Sequence, residues 1–223
     1  MTAQAQDAFL YQGEYYSFIE GDERKLLKPQ NFGMTPESTL SSCWRGFHSV
    51  YEITSEGMFL TEMTIMDVKD GIFQPIQSIM PETDFYMYCR KPGEEDWRGA
   101  GDKIDDGKEE RLRAQGYEIK LEPFSSTYKK LRVPVQYSGD LILGREFIQE
   151  MYIHMGYQRA VAYKKLLYLE FTNGLLNKLV DLSEANAIQR EKCIKNPEEY
   201  KHHAIMKFFI KELLNINKKF ESN

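Results

Sequence analysis

An Asn-Gly pair between two apolar runs constrains this chain more than any other local feature. Leu166-Leu167-Tyr168-Leu169-Glu170-Phe171 meets Leu175-Leu176 across Thr172-Asn173-Gly174. A two-residue turn whose twist matches its strands needs positive φ at both central positions, and Asn and Gly tolerate that best. The pair therefore predicts an antiparallel hairpin. Glycine-punctuated aromatic runs repeat the signal near the N-terminus, where Phe9-Leu10-Tyr11 and Tyr15-Tyr16-Ser17-Phe18 flank Gln12-Gly13. Val50–Ile53 and Met58–Leu60 flank Ser55-Glu56-Gly57, Asp70-Gly71 marks a further turn, and strands resume at Tyr117–Ile119 and Leu131–Pro134. Aromatic and β-branched residues in such runs fit a pleated, half-buried surface.

At Ser183 the periodicity becomes helical. Ser183 is placed to cap a first helix running to about Lys195. Asn196-Pro197-Glu198-Glu199 reads as the start of a second, with Asn at N-cap and Pro at N1. On it His202, Met206, Phe209, Leu213, Ile216 and Phe220 repeat at spacings of four and three, a seam that must face the sheet or a partner helix. The expected fold is α+β: a mainly antiparallel sheet in two hairpin-rich halves, with C-terminal helices packed on it. Residues 1–182 form the β-rich domain and 183–223 its helical segment.

Residues 91–116 interrupt this pattern. The stretch is rich in Gly and charge, with eight acidic and six basic residues, and reads as a solvated loop with a short helix near Lys108–Gln115. A connection of that length inside a compact domain is usually functional or disordered.

Charge and composition remove several classes of function. The hydrophobic fraction of 42% and charged fraction of 28% are those of an ordinary globular protein, and no apolar run approaches the roughly 18 residues that span a bilayer. The N-terminal residues lack the basic start and apolar stretch of a signal peptide. Cys43, Cys89 and Cys193 are an odd set without a C-x-x-C pair, read as buried or half-buried free thiols in a reducing cytoplasm. The net charge is −5, carried by an acidic body (−7 over residues 1–182) against +2 over residues 183–223. A surface of that sign does not grip phosphate backbones, so nucleic acid is not an expected partner, and a basic protein is.

Two segments about 110 residues apart match in outline. Ser42-Cys43-Trp44-Arg45-Gly46-Phe47 precedes Tyr51-Glu52-Ile53, and Tyr152-Ile153-His154-Met155-Gly156-Tyr157 precedes Tyr163. Each sets a glycine before an aromatic ring and then enters a hairpin. Trp44 and Arg45 are residue types enriched in binding hot spots. The structural alternative is a buried Trp44 anchoring the sheet, with Arg45 pairing an acid and Gly46 marking a bulge. His154 has the chemistry of a general base, but no Gly-x-Ser-x-Gly elbow or Cys-His pairing supplies a nucleophile, so a structural strand histidine is the favoured reading.

Metal chemistry is weakly supported. Asp102-Lys103-Ile104-Asp105-Asp106-Gly107 resembles an EF-hand start, yet position 3 is Ile104 and position 12 is Arg113. Adjacent His202 and His203 point about 100° apart on a helix and do not readily chelate one ion. No phosphate-cradling loop, dinucleotide fingerprint or H-E-x-x-H is present. Neither metal nor cofactor is expected.

With these residues in view, the chain resembles an uncharacterised family of small bacterial β-rich proteins. The likeness rests on Trp44-Arg45-Gly46-Phe47, Tyr51-Glu52-Ile53, Gly57, Met58-Phe59-Leu60, Leu131-Arg132-Val133-Pro134 and Tyr152 to Tyr157, with Met58 in place of a leading leucine. It covers roughly residues 9–182. The resemblance implies no transferable activity; in type such proteins are similar to immunity proteins that neutralise toxins of neighbouring bacteria.

The leading expectation is thus a non-enzymatic, cytoplasmic protein-binding module that neutralises a basic toxin by occlusion. Glu94, Glu95, Asp96, Asp102, Asp105 and Asp106 would meet the basic cleft, with Trp97 as aromatic anchor. The alternative is a small hydrolase or ligand-binding protein whose site joins Trp44, Arg45, His154 and Tyr157. A third reading has the C-terminal seam forming a homodimer.

Overall fold

A computed structural model describes residues 3–102, 107–154, 156–195 and 213–214. The N-terminal hairpin is β1 (Ala8–Tyr11) and β2 (Glu14–Gly21). A two-residue β3 (Pro36–Glu37) precedes the hairpin of β4 (Phe47–Thr54) and β5 (Gly57–Ile65). After β6 (Asp67–Val68) come β7 (Glu82–Arg90), β8 (Arg98–Asp102), α1 (Lys108–Ala114) and β9 (Glu118–Tyr128). The remainder is β10 (Val133–Pro134), β11 (Gly139–Phe147), β12 (Tyr163–Thr172), β13 (Leu175–Asp181) and α2 (Ser183–Lys195).

The class is α+β with mainly antiparallel pairing, as the hairpin signals predict. Parallel pairing of β1 with β4 makes the sheet mixed. Parallel neighbours need a long crossover, here residues 12–46 with β2 among them, so no local turn signal announces the pair. Both expected two-residue turns form with positive φ: 52° and 80° at Gln12 and Gly13, and 50° and 82° at Asn173 and Gly174. Gly174 is fixed twice over, because a Cβ there would run into the carbonyl oxygen of Val135.

The chain folds as two compact units that interleave in sequence: residues 1–27, 49–61 and 132–223, and residues 28–48 and 62–131. In the first, strands lie in the order β13-β12-β11-β2-β1-β4-β5, with β10 also on β5. Its core stacks Phe9 against Tyr51, ring centroids 5.0 Å apart, and against Phe18 at 6.2 Å. Such pairs add about 0.5–1.5 kcal/mol beyond the area they bury. Strand β11, missed by the sequence reading, pairs β2 on one side and β12 on the other.

Helix α2 covers the expected Ser183–Lys195, but the cap differs. Asp181 Oδ1 accepts the Ser183 N–H at 2.8 Å, while Ser183 Oγ accepts from the Leu166 N–H of β12. The helix buries Ala185, Asn186, Gln189 and Cys193 rather than an aliphatic stripe. It is tied down by side chains reaching backbone carbonyls: Asn186 Nδ2 donates to Ala160 and Tyr163 oxygens at 3.1 and 2.9 Å, and Arg190 Nε to Val161 O at 2.7 Å. The second helix and its seam fall outside the described residues, except Leu213 and Leu214, which are helical. Leu213 is buried with Ile19, Ile142 and Tyr163, so at this position the seam faces its own core.

In the second unit the order is β5-β9-β7-β8, with β3 and β6 as a separate pair. Met34, Met63, Ile65, Met87 and Tyr128 form its core, and the Tyr128 hydroxyl donates to Gln74 O at 2.6 Å. The 91–116 stretch is not a simple loop. Its Gly-rich Arg98–Asp102 pairs with β7 as edge strand β8, and the short helix appears as α1. The three cysteines are buried free thiols.

Candidate functional site

Strand β7 alternates cleanly. Met87 and Cys89 point into the core of the second unit; Tyr86, Tyr88 and Arg90, two residues apart, point the other way and are half-buried. The register sets Tyr86 opposite Glu122, Tyr88 opposite Lys120 and Arg90 opposite Glu118 on β9, so these six side chains share one face. Tyr86 and Tyr88 have ring centroids 5.1 Å apart, and Phe124 joins them at 6.3 Å from Tyr86. The Tyr86 ring lies across β8 at a glycine: a Cβ on Gly99 would sit 3.0 Å from the Tyr86 hydroxyl, in tight contact with the ring.

At the end of this aromatic strip Arg90 joins the expected anchor. Its guanidinium lies 4.6 Å from the Trp97 ring centroid, and its Nε donates to Glu118 at 2.6 Å. The carboxylate holds the guanidinium flat and the guanidinium holds the indole half-buried, so the ring is oriented before any partner arrives. Glu94 accepts from the Lys91 N–H and pairs with Arg98 at 3.2 Å, which ties the turn that carries Trp97. Exposed ion pairs of this kind contribute little stability and serve to fix geometry. Glu95 and Asp96 are exposed beside Trp97.

Of the seven residues expected to bind a partner, Glu94, Glu95, Asp96 and Trp97 therefore lie on one turn beside the strip. Glu94 is committed to internal pairing and is not a free acid. Asp102 lies on β8, and Asp105 and Asp106 are outside the described residues. Tyr86, Tyr88, Arg90 and Phe124 were not singled out from the sequence. The alternation Tyr86-Met87-Tyr88-Cys89-Arg90 was the signal that could have found them.

The alternative set divides between the units. Trp44 and Arg45 belong to the second, His154 and Tyr157 to the first. Trp44 is 54% exposed, which overturns its reading as a buried anchor. The Arg45 guanidinium covers the Phe47 ring at 4.9 Å. Gly46 closes a turn rather than a bulge: its N–H donates to Cys43 O at 2.9 Å, and its φ is 72°.

His154 is not on a strand. It is exposed in a loop clasped by Gln158, whose amide accepts the Ile153 N–H and donates to the Ile153 oxygen, both at 2.9 Å. Its ring neighbour is Tyr152 at 6.3 Å, and among the described residues no carboxylate hydrogen-bonds to it. A general base without an orienting acid or a nucleophile is poorly equipped for hydrolysis. Tyr157 is 39% exposed beyond Gly156.

Among the described residues no group of three or more His, Cys, Asp or Glu side chains is arranged to hold a metal ion. No helix among them is long and apolar enough to cross a membrane. No protein-family model, curated protein or solved structure matches this chain.

Proposed function

We propose that this chain is a non-enzymatic protein-binding module, most specifically an immunity protein that occludes a basic toxin in the bacterial cytoplasm. The observation that carries the reading is the oriented Arg90–Trp97 pair at the end of the Tyr86, Tyr88 and Phe124 strip. Trp, Tyr and Arg dominate binding energy at protein interfaces, and a half-buried, pre-positioned ring loses little entropy on docking. The partner's sign follows from charge. Glu95 and Asp96 stand exposed beside the indole, in a chain of net charge −5. Complementary charge would speed encounter, and the aromatic strip would slow release.

The test is protection. The product of the adjacent open reading frame is expressed as the candidate toxin in cells with and without this chain, and binding is titrated with the purified pair. Protection is expected, with Trp97→Ala and Tyr86→Ala each weakening binding by roughly thirtyfold or more, the scale of a hot spot. Undiminished binding by the doubly substituted, folded chain would remove this face from the mechanism. Absence of any complex would remove the immunity reading itself.

A further inference from the structure

Residues 71–81 are the longest stretch of the chain without a charged side chain, in a protein whose charged fraction is 28%. They connect β6 to β7 in the second unit, and the backbone is pinned along the way. The Gly71 N–H donates to Val68 O at 2.8 Å and the Ile72 N–H to Asp70 Oδ1 at 3.2 Å. Gln74 is held through both backbone groups: its oxygen accepts from the Tyr128 hydroxyl, and its N–H donates to Met34 Sδ at 3.4 Å. Ile76 is buried and anchors the centre. Ile72 and Met80 are not; they are 58% and 59% exposed. A single exposed aliphatic is ordinary, but two on one uncharged, pinned loop form a presented apolar surface.

The turn preceding Met80 is strained. Ile76 and Ile79 exchange N–H···O bonds at 3.0 and 2.8 Å around Gln77 and Ser78, whose φ values are 49° and 63°. Two consecutive positive φ values are the geometry of a type I′ turn, for which Asn, Asp and Gly are the fitted residues. Here neither position has one, so both carry the left-handed penalty. Strain of this kind persists where the surroundings over-determine it, and it clusters at functional segments. A loop fixed in this way loses little conformational freedom on docking.

The loop leads directly into β7. Alternation puts Glu82 and Asp84 on the same side of that strand as Tyr86, Tyr88 and Arg90. The register shift near Asp84 does not change sides, because the extra residue is Phe124 on β9. At the rise of a strand, Glu82 and Arg90 are about 26 Å apart, within the roughly 30 Å breadth of an interface burying about 800 Å² a side. The aromatic strip therefore has the Arg90–Trp97 pair at one end and this loop at the other. Asp84 is exposed at the loop end, as Glu95 and Asp96 are at the Trp97 end, so acids stand at both.

We propose that the 71–81 loop is a second docking element for the same basic protein partner, with Ile72 and Met80 entering an apolar cleft whose basic rim meets Asp84. The partner's identity rests on the immunity reading. Acids at both ends of the face speed encounter with a basic surface, and the buried aliphatics slow release. A second copy of this chain is disfavoured as the occupant, because it would bring like-charged faces together.

The candidate toxin from the adjacent open reading frame is the probe, and its association and dissociation rates are measured with the full chain and with the Ile72→Ser/Met80→Ser variant. Both side chains are exposed, so the melting temperature should hold within about 2 °C. Dissociation should become about tenfold faster with association unchanged, whereas Asp84→Asn should slow association about twofold at low salt. Unchanged rates in the folded double variant, with Trp97→Ala still weakening the complex, would overturn the loop's role and leave the immunity reading standing. If the double variant melts early, Met80→Gln alone decides by the same rates. A dimer of the free chain that the double substitution dissolves would assign the loop to a second copy and overturn the proposal. Absence of any complex with the unsubstituted chain would remove both readings.

Discussion

The guanidinium of Arg90 lies 4.6 Å from the centroid of the Trp97 ring, so the indole is oriented by the protein's own cation. Arg90→Gln keeps a polar side chain on β7 and removes the planar cation. The expected result is a red shift of Trp97 emission, measured in a Trp44→Phe background because Trp44 is itself exposed. Partner affinity should fall about tenfold through loss of pre-orientation. Stability should change by less than about 1 kcal/mol, because both partners are partly exposed.

Two glycines of similar backbone conformation separate the cost of space from the cost of φ. Gly13 has φ 80° with nothing within 4 Å of a Cβ position; Gly46 has φ 72° and a Cβ there would sit 2.5 Å from Glu37 O. Gly13→Ala should cost about 1 kcal/mol, the left-handed penalty alone. Gly46→Ala carries the same penalty plus a backbone collision and should cost about 3 kcal/mol or more. Urea denaturation of the two variants measures the difference, and equal costs would show that the Glu37 segment yields.

These positions also show how far the sequence could be read. Turn chemistry acts within a few residues, so the Gln12-Gly13 and Asn173-Gly174 hairpins and the span of α2 were all legible. The β1–β4 pairing was not, because its register is set across a long connection. Strand β11 was missed: Asp140-Leu141-Ile142-Leu143-Gly144 lacks the alternation of a half-exposed strand. Strand β8 was missed because Gly99-Ala100-Gly101 has poor intrinsic β preference, and its strand form comes from pairing with β7. The buried reading of Trp44 failed because a residue type's tendency to dominate core packing does not locate an individual ring. At the proposed docking face Trp97 and its neighbouring acids were legible in the sequence, while Arg90 required the β7–β9 register.

Tyr128 and its environment predict an alkaline limit on stability. Burial pushes its phenol up to about 12, from an ordinary value near 10. Above pH 10 the unfolded chain releases this proton while the folded chain retains it. The unfolded state then binds fewer protons, and stability falls with rising pH until the folded value is passed. Below pH 10 the contribution is fully present. Tyr128→Phe should lose about 1 kcal/mol at pH 7, with Gln74 O left without this donor. The variant should also show a shallower decline between pH 10 and 11.5, measured by denaturant titration at each pH.

Asn186 makes the attachment of α2 depend on a polar contact. Fully buried, it donates through Nδ2 to the oxygens of Ala160 and Tyr163. Asn186→Ala leaves both carbonyls without this donor and should destabilise the chain by about 2–3 kcal/mol. Asn186→Asp should be worse, because it sets a carboxylate against two carbonyl oxygens and must desolvate the charge or retain a proton. Its deficit should therefore shrink as pH falls toward 4, whereas that of Asn186→Ala should stay constant. Parallel denaturation curves at pH 7 and pH 4.5 distinguish the two. A pH-independent deficit for Asn186→Asp would mean that α2 shifts to let the carboxylate reach water, and that the polar contacts do not fix its position.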